Sequence, residues 1–233
     1  MPYTPPAGSL VHLKGVPFED AEEIATEFKK KFDDFDETED GQDDPSLCRA
    51  ILRFPDDTVF WDAKMAICAD GPANPASGLD GEDLDPGNGV DETAYNYPGT
   101  QQSLIAELVS YIVMPKAGFA AATGIAKGDV AIVIYKDKIA AAVLGEVGPA
   151  AKIGEGSIRL HEMLHPPAKD PCIQRHPTKR FCKRVRNESI PERVLYFVFP
   201  GTKFGKELRP ATIESLVSGR AFERYNQLRG IAT

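Results

Sequence analysis

GDVAIVIYKDKIAAAVLGEVGPAAKIGEGSI, from Gly128 to Ile158, is the stretch from which the rest of the chain can be read. Val130 to Tyr135 is an almost unbroken apolar run, the signature of a strand buried on both faces. Lys136-Asp137-Lys138 turns the chain, and Ile139 to Leu144 returns as the second arm of a hairpin. Glu146 stands at the end of that arm and Gly148-Pro149 makes a turn. Glu155 then sits between Gly154 and Gly156, where the missing side chains let backbone approach a ligand closely. Two carboxylates on adjoining segments can face one cleft. Such a pair is what glycoside hydrolysis needs, one protonated to donate to the leaving oxygen and one to activate water or attack directly.

Strand patterns continue outward in both directions. Val59 to Cys68 alternates, with Val59, Trp61, Ala63, Met65 and Ile67 on one face and Phe60, Asp62, Lys64, Ala66 and Cys68 on the other. Tyr111 to Met114 is a short apolar strand stopped by Pro115, and Leu195 to Phe199 is a buried strand ended by Pro200-Gly201. Helical spacing marks the two ends. Phe18, Ala21, Ile24, Ala25, Phe28, Phe32 and Phe35 recur every three or four residues and predict a helix over 17–36. Ile213, Leu216, Val217, Phe222, Tyr225 and Leu228 predict another over 210–229, with Gly219 as a candidate break. Strands in the middle and helices at the ends argue against alternating βαβ units. The expected fold is mainly β (α+β): a barrel-like core of antiparallel or mixed strands over 50–202 with flanking helices, the whole of 1–233 forming one domain.

Composition sets limits on function. The chain has 233 residues and a net charge of −8. Residues 1–100 hold 7 basic and 23 acidic side chains, a net −16, and residues 101–233 carry a net +8. An acidic half argues against nucleic acid as the partner of the whole chain. The basic run Arg175 to Arg186 is expected to be a solvated loop. No stretch reaches the roughly 18 apolar residues of a membrane span. Met1 to Gly15 shows no basic segment followed by an apolar run. Cys48, Cys68, Cys172 and Cys182 contain no CxxC; free or buried thiols are the simpler state, and Cys172 and Cys182 are near enough to pair in an exported chain.

His161-Glu162-Met163-Leu164-His165 is an HExxH, which on a helix places two imidazoles one turn apart for zinc, with the Glu as base of a metalloprotease. Pro166-Pro167 follows at once and stops any helix, and His176 is the only later His, so no clear third ligand is offered. The expectation is a short helix with two surface histidines, no metal and no cofactor. The Asp- and Gly-rich loop Asp70 to Asn96 lacks EF-hand spacing, but long loops in compact domains are often functional.

The motifs taken in order resemble those of the glycoside hydrolase family 75 chitosanases, the fungal-type chitosanases. FWDAKMAICADG, Phe60 to Gly71, resembles the family's aromatic-x-A-K-M-x-I-x-x-D-G strand and loop. YIVMP, Tyr111 to Pro115, resembles P-Y-I-V-L-P with Ser110 in place of the first Pro. Gly128 to Ile158 resembles the hairpin followed by G-D-x-G-P and I-G-E-x-S-I, and Leu195 to Gly201 the last core strand. The resemblance spans roughly 50–202. It implies a secreted, endo-acting, inverting hydrolase of β-1,4-linked glucosamine polymers. The catalytic pair it implies is Glu155, in I-G-E-x-S-I, and Glu146, which stands where the family has Asp. Glu155 is assigned as acid and Glu146 as base, roles that can be exchanged. A Glu for an Asp moves the carboxylate by about 1 Å, a displacement able to cost on the order of 100-fold in rate. Ala66 and Cys68 also stand where the family pattern carries Asp.

The substrate so implied is a cationic amino-sugar polysaccharide, which an acidic cleft would attract. Asp70, Asp62, Tyr95 and Tyr97 are the expected substrate contacts, and Asp80, Glu82, Asp83 and Asp85 are further candidates. Trp61, on an apolar face, is expected in the core. A monomer is expected. The competing readings are a hydrolase of another amino-sugar glycan such as peptidoglycan, a non-catalytic descendant that binds glycan or protein, and the HExxH metalloprotease.

Overall fold

Six strands close on themselves. In the computed structural model, which describes residues 3–7, 13–38, 48–72, 92–164, 172–175, 182–185 and 189–231, the chain forms β1 (Glu22–Glu23), β2 (Ala50–Arg53), β3 (Val59–Cys68), β4 (Tyr111–Pro115), β5 (Val130–Tyr135), β6 (Lys138–Gly148), β7 (Glu155–Ser157), β8 (Cys172–Arg175), β9 (Cys182–Val185) and β10 (Ser189–Phe199). The main sheet runs β1-β2-β3-β10-β5-β6-β4-β7, and β7 returns to pair with β3, so β3, β10, β5, β6, β4 and β7 make a closed mixed barrel. β4–β6 and β3–β7 are parallel and the other pairs antiparallel. Closure leaves no free edge in the barrel itself. The helices are α1 (Thr26–Thr38), α2 (Phe119–Thr123), α3 (Ile158–Leu164) and α4 (Ile213–Leu228).

The alternation read from the sequence sorts side chains into two cores. Trp61, Met65, Ile112, Val133, Ala142, Leu144 and Tyr196 form the inward cluster, with Trp61 stacked on Tyr196 at 5.1 Å between ring centroids. Phe28 and Phe32 of α1 and Phe119 of α2 join that cluster. The opposite faces of β5, β6 and β10 pack against α4 through Ile132, Val143, Phe197, Val217 and Tyr225. Each large side chain so buried contributes about 1.5–3 kcal/mol. α4 continues unbroken through Gly219, because the apolar face on either side of it is already anchored on the barrel.

The amino-terminal helix is shorter than the spacing predicts. Phe18–Asp20 is one 3-10 turn, Glu22 and Glu23 pair with Arg53 and Leu52, and the helix begins only at Thr26. Phe18 belongs to the outer core and Phe28 to the inner one, so the chain turns between them, at Ala25 with φ 52°. The polar face of β3 is not solvated either. Asp62 and Lys64 are fully buried, and the Tyr3 hydroxyl of the amino-terminal segment donates to Asp62. The acidic stretch Asp33 to Asp44 runs from the end of α1 into residues 39–47, which lie outside the described residues.

Candidate active site

Val113 of β4 organises the site. It lies opposite Glu146 of β6 in a parallel register and opposite Glu155 of β7 in an antiparallel one. Registered partners project to the same face of a sheet. The two carboxylates therefore share a face, two strands apart, with about 9.5 Å between their backbones. The register of β4 and β6 shifts between Ile112 and Val113, passing over Gly145. This bulge falls one residue before Glu146, and bulges re-aim the side chains beside them. A Cβ on Gly145 would lie 2.8 Å from both Leu104 and Tyr111, so a glycine is needed there.

Glu146 is 7% exposed and held by two backbone donors. The Val147 N–H donates to Oε1 and the Ala94 N–H to Oε2, each at 2.7 Å. The second donor comes from the segment after the long acidic loop. That segment is tied to β6 by the Tyr95 N–H on the Gly145 carbonyl at 3.0 Å. Thr93 braces it, accepting from the Leu104 N–H and donating to the Tyr95 carbonyl, and Lys127 Nζ donates to the Ala94 carbonyl at 2.6 Å. Burial lifts the Glu146 carboxyl above its ordinary range, opposed by the two N–H donors. The charge of Asp70 pushes it further up and that of Lys127 pulls it down.

Glu155 is 9% exposed. Lys152 Nζ lies 2.9 Å from its Oε1. A Cβ on Gly148 would lie 2.8 Å from its Oε2, so the carboxylate rides over bare backbone. Gly154 has φ 80°, and a Cβ there would meet the Lys64 carbonyl oxygen at 2.2 Å. Its own carbonyl accepts from the Ala66 N–H at 2.8 Å. Only glycine allows that close approach, and it sets the β3–β7 pairing that presents Glu155.

Asp70 closes the cluster. Tyr111 donates its hydroxyl to the Asp70 carbonyl at 2.6 Å, fixing the end of β3 beside the pair. Cys68 lies between: burial pushes its thiol well up, and the charges of Asp70 and Glu155 push the same way. Asp70, Glu146 and Glu155 thus lie near one another.

The other expected contacts are placed elsewhere. Asp62 is fully buried, accepting from the Tyr3 hydroxyl at 2.7 Å and paired with Arg193 at 2.8 Å. No face of it is open to a polymer. Tyr97 is 4% exposed and belongs to the outer core. Tyr95 is half-buried with its ring against Gly128, where a Cβ would come within 2.7 Å. Both tyrosines anchor the loop end that carries the Ala94 donor. Asp80, Glu82, Asp83 and Asp85 lie outside the described residues. Cys172 stands opposite Val185 and Cys182 opposite Arg175 in the β8–β9 pair, so the two cysteines are offset along it.

The HExxH segment falls on α3, of seven residues, with His161 buried at 1% exposure and not at the surface. Glu162 faces Arg159 at 3.9 Å. His165 and His176 lie outside the described residues. Among the described residues no group of three or more His, Cys, Asp or Glu is placed to hold a metal ion.

Lys152, Tyr111 and Lys127 are parts of the site that sequence reasoning passed over. Lys152 had a signal, a base three residues before Glu155 and just after the Gly148-Pro149 turn. Comparison with known families gives one match: the model described as fungal chitosanase of glycosyl hydrolase group 75 matches residues 65–225. Among curated proteins none matches the chain.

Proposed function

The chain belongs to glycosyl hydrolase family 75 and is a glycoside hydrolase of chitosanase type; from that premise we propose that it cleaves β-1,4-linked glucosamine polymers internally, with inversion, using Glu146 and Glu155. The observation that carries the proposal is the register of both carboxylates on Val113. Two inter-strand spacings, about 9.5 Å between backbones, suit the roughly 6.5–9.5 Å that inverting hydrolases leave between carboxyl groups for a water. Retaining enzymes need about 5–5.5 Å, closer to one spacing than to two.

The environments support exchanging the two roles assigned from the sequence. An acid must hold its proton under working conditions, and burial lifts the Glu146 carboxyl for that purpose. A base must be ionised, and Glu155 forms an ion pair with Lys152. Glu146 would then protonate the glycosidic oxygen as the bond to the anomeric carbon breaks. Glu155 would take a proton from the water that attacks that carbon from the opposite face. The new C–O bond has inverted configuration, Glu146 ends deprotonated and Glu155 protonated, and solvent resets both. Asp70, beside Glu146, supplies a negative charge for a glucosamine ammonium.

Release of reducing ends from chitosan, chitin and peptidoglycan at mildly acidic pH tests the substrate. Proton NMR of the first-formed anomer tests the stereochemistry. Rapid cleavage of chitosan with the α-anomer formed first is expected. A β-anomer formed first would overturn the inverting mechanism. Faster cleavage of peptidoglycan would overturn the substrate, and binding without turnover on all three would overturn catalysis.

A further inference from the structure

Lys152 has no place in the carboxylate pair that the motifs point to, yet it is the cation set against one member of it. The turn Pro149 to Lys152, closed by the Lys152 N–H on the Pro149 carbonyl at 3.4 Å, brings the chain back under β6. The lysine side chain is 21% exposed and the Glu155 side chain 11%, so the 2.9 Å contact between Nζ and Oε1 is shielded from most solvent. Such a pair is screened less by water and salt than one on the surface. The other oxygen, Oε2, lies over Gly148, 2.8 Å from where a Cβ would stand, so a methyl group there would push the carboxylate aside. The carboxylate is gripped at Oε1 by charge and at Oε2 by shape.

The cluster creates a need for such a grip. Asp70, Glu146 and Glu155 crowd three carboxyl groups around Cys68 and Tyr111. Like charges close together make it costly for all to ionise, and which group keeps a proton is then set by the neighbours. Lys152 sets its positive charge 2.9 Å from Glu155 Oε1, against one member of that cluster. Lysine suits this task as a compact point charge with three donors, only one of which this contact uses.

We propose that Lys152 is a positioning residue of the hydrolytic reaction: it holds the Glu155 carboxylate in one orientation, so that its attack-side lone pair meets the water. The proposal rests on the reading of Glu155 as the base. It makes Lys152 act through Glu155 and not on the polymer, and the same cation leaves the Glu155 side of the cleft less negative than the Asp70 side.

Steady-state kinetics on chitosan with Lys152→Met and Lys152→Arg, alongside wild type and Glu155→Gln, is the test. Lys152→Met is expected to lower kcat on the order of 10- to 100-fold, the scale of a misplaced catalytic group. KM and the thermal midpoint should stay near wild type. Lys152→Arg, which keeps the charge, is expected to restore most of kcat. Wild-type kcat in Lys152→Met would overturn the proposal. So would a raised KM with kcat unchanged, since that marks a contact to substrate, or a loss matched by a fall in thermal midpoint that Arg does not repair. These failures leave Glu155→Gln inactive and the function intact. If Glu155→Gln retains wild-type turnover, the function assigned to Glu155 fails, and the proposal with it.

Discussion

Gly148 shows how narrowly one residue sets the chemistry. Its φ is unexceptional, but a Cβ there would press on Glu155 Oε2 at 2.8 Å. The side-chain end can swing away, so the fold should tolerate the change while the carboxylate moves. Gly148→Ala is expected to lower kcat on chitosan on the order of 100-fold, since about 1 Å of misplacement is enough. Its thermal midpoint should fall by only a few degrees, as for a change of about 1 kcal/mol. Calorimetry and initial rates on one preparation check both. At this scale the sequence was partly legible. Glu146 and Glu155 could be named as candidates because Gly and Pro follow a hairpin there, and Asp70 only through the motif resemblance of Phe60 to Gly71. Asp62 could not be placed, because its burial is due to Tyr3 and Arg193, 59 and 131 positions away in the chain. Nor could the proposed exchange of acid and base, which rests on the burial of Glu146 and on the Lys152–Glu155 ion pair.

Among the elements, the segment from Glu92 to Leu104 acts as a brace on β6. Its Ala94 N–H holds Glu146, and Lys127 reaches its carbonyl from the turn before β5. The Lys127 charge lowers the Glu146 carboxyl against the larger lifting by burial. Removing that charge leaves the proton more firmly bound. Lys127→Met is therefore expected to move the alkaline limb of the kcat–pH profile to higher pH, since that limb reports loss of the acid's proton. A limb that stays in place, or moves down, would contradict Glu146 as the acid. The long strands β3, β5, β6 and β10 follow from their apolar runs and alternation, which were readable in the sequence. β7 was not, because three residues of Glu-Gly-Ser carry no period and pair only because β3 and β4 flank them. The helix over 17–36 was overextended for a related reason: the spacing from Phe18 to Phe28 is regular, but those two rings serve different cores.

For the molecule as a whole, barrel closure is what converts distant residues into a site. Glu146 and Glu155 lie nine positions apart, yet they reach one face only because β4 inserts between β6 and β7 and β7 returns to β3. The charge split along the sequence does not divide the molecule, since Asp70 from the acidic part and Glu146, Glu155 and Lys152 from the basic part meet around Val113, Cys68 and Tyr111. No helix among the described residues is long and apolar enough to cross a membrane. We propose that this carboxyl cluster hydrolyses a glucosamine polymer with two carboxylates of separate roles. The most direct measurement is the release of reducing ends from chitosan by wild type, Glu146→Gln and Glu155→Gln, each first shown to be folded by circular dichroism. Turnover by wild type is expected, with a loss of at least about 1,000-fold in each variant, near 4 kcal/mol of transition-state stabilisation. Either variant working at close to the wild-type rate would contradict it.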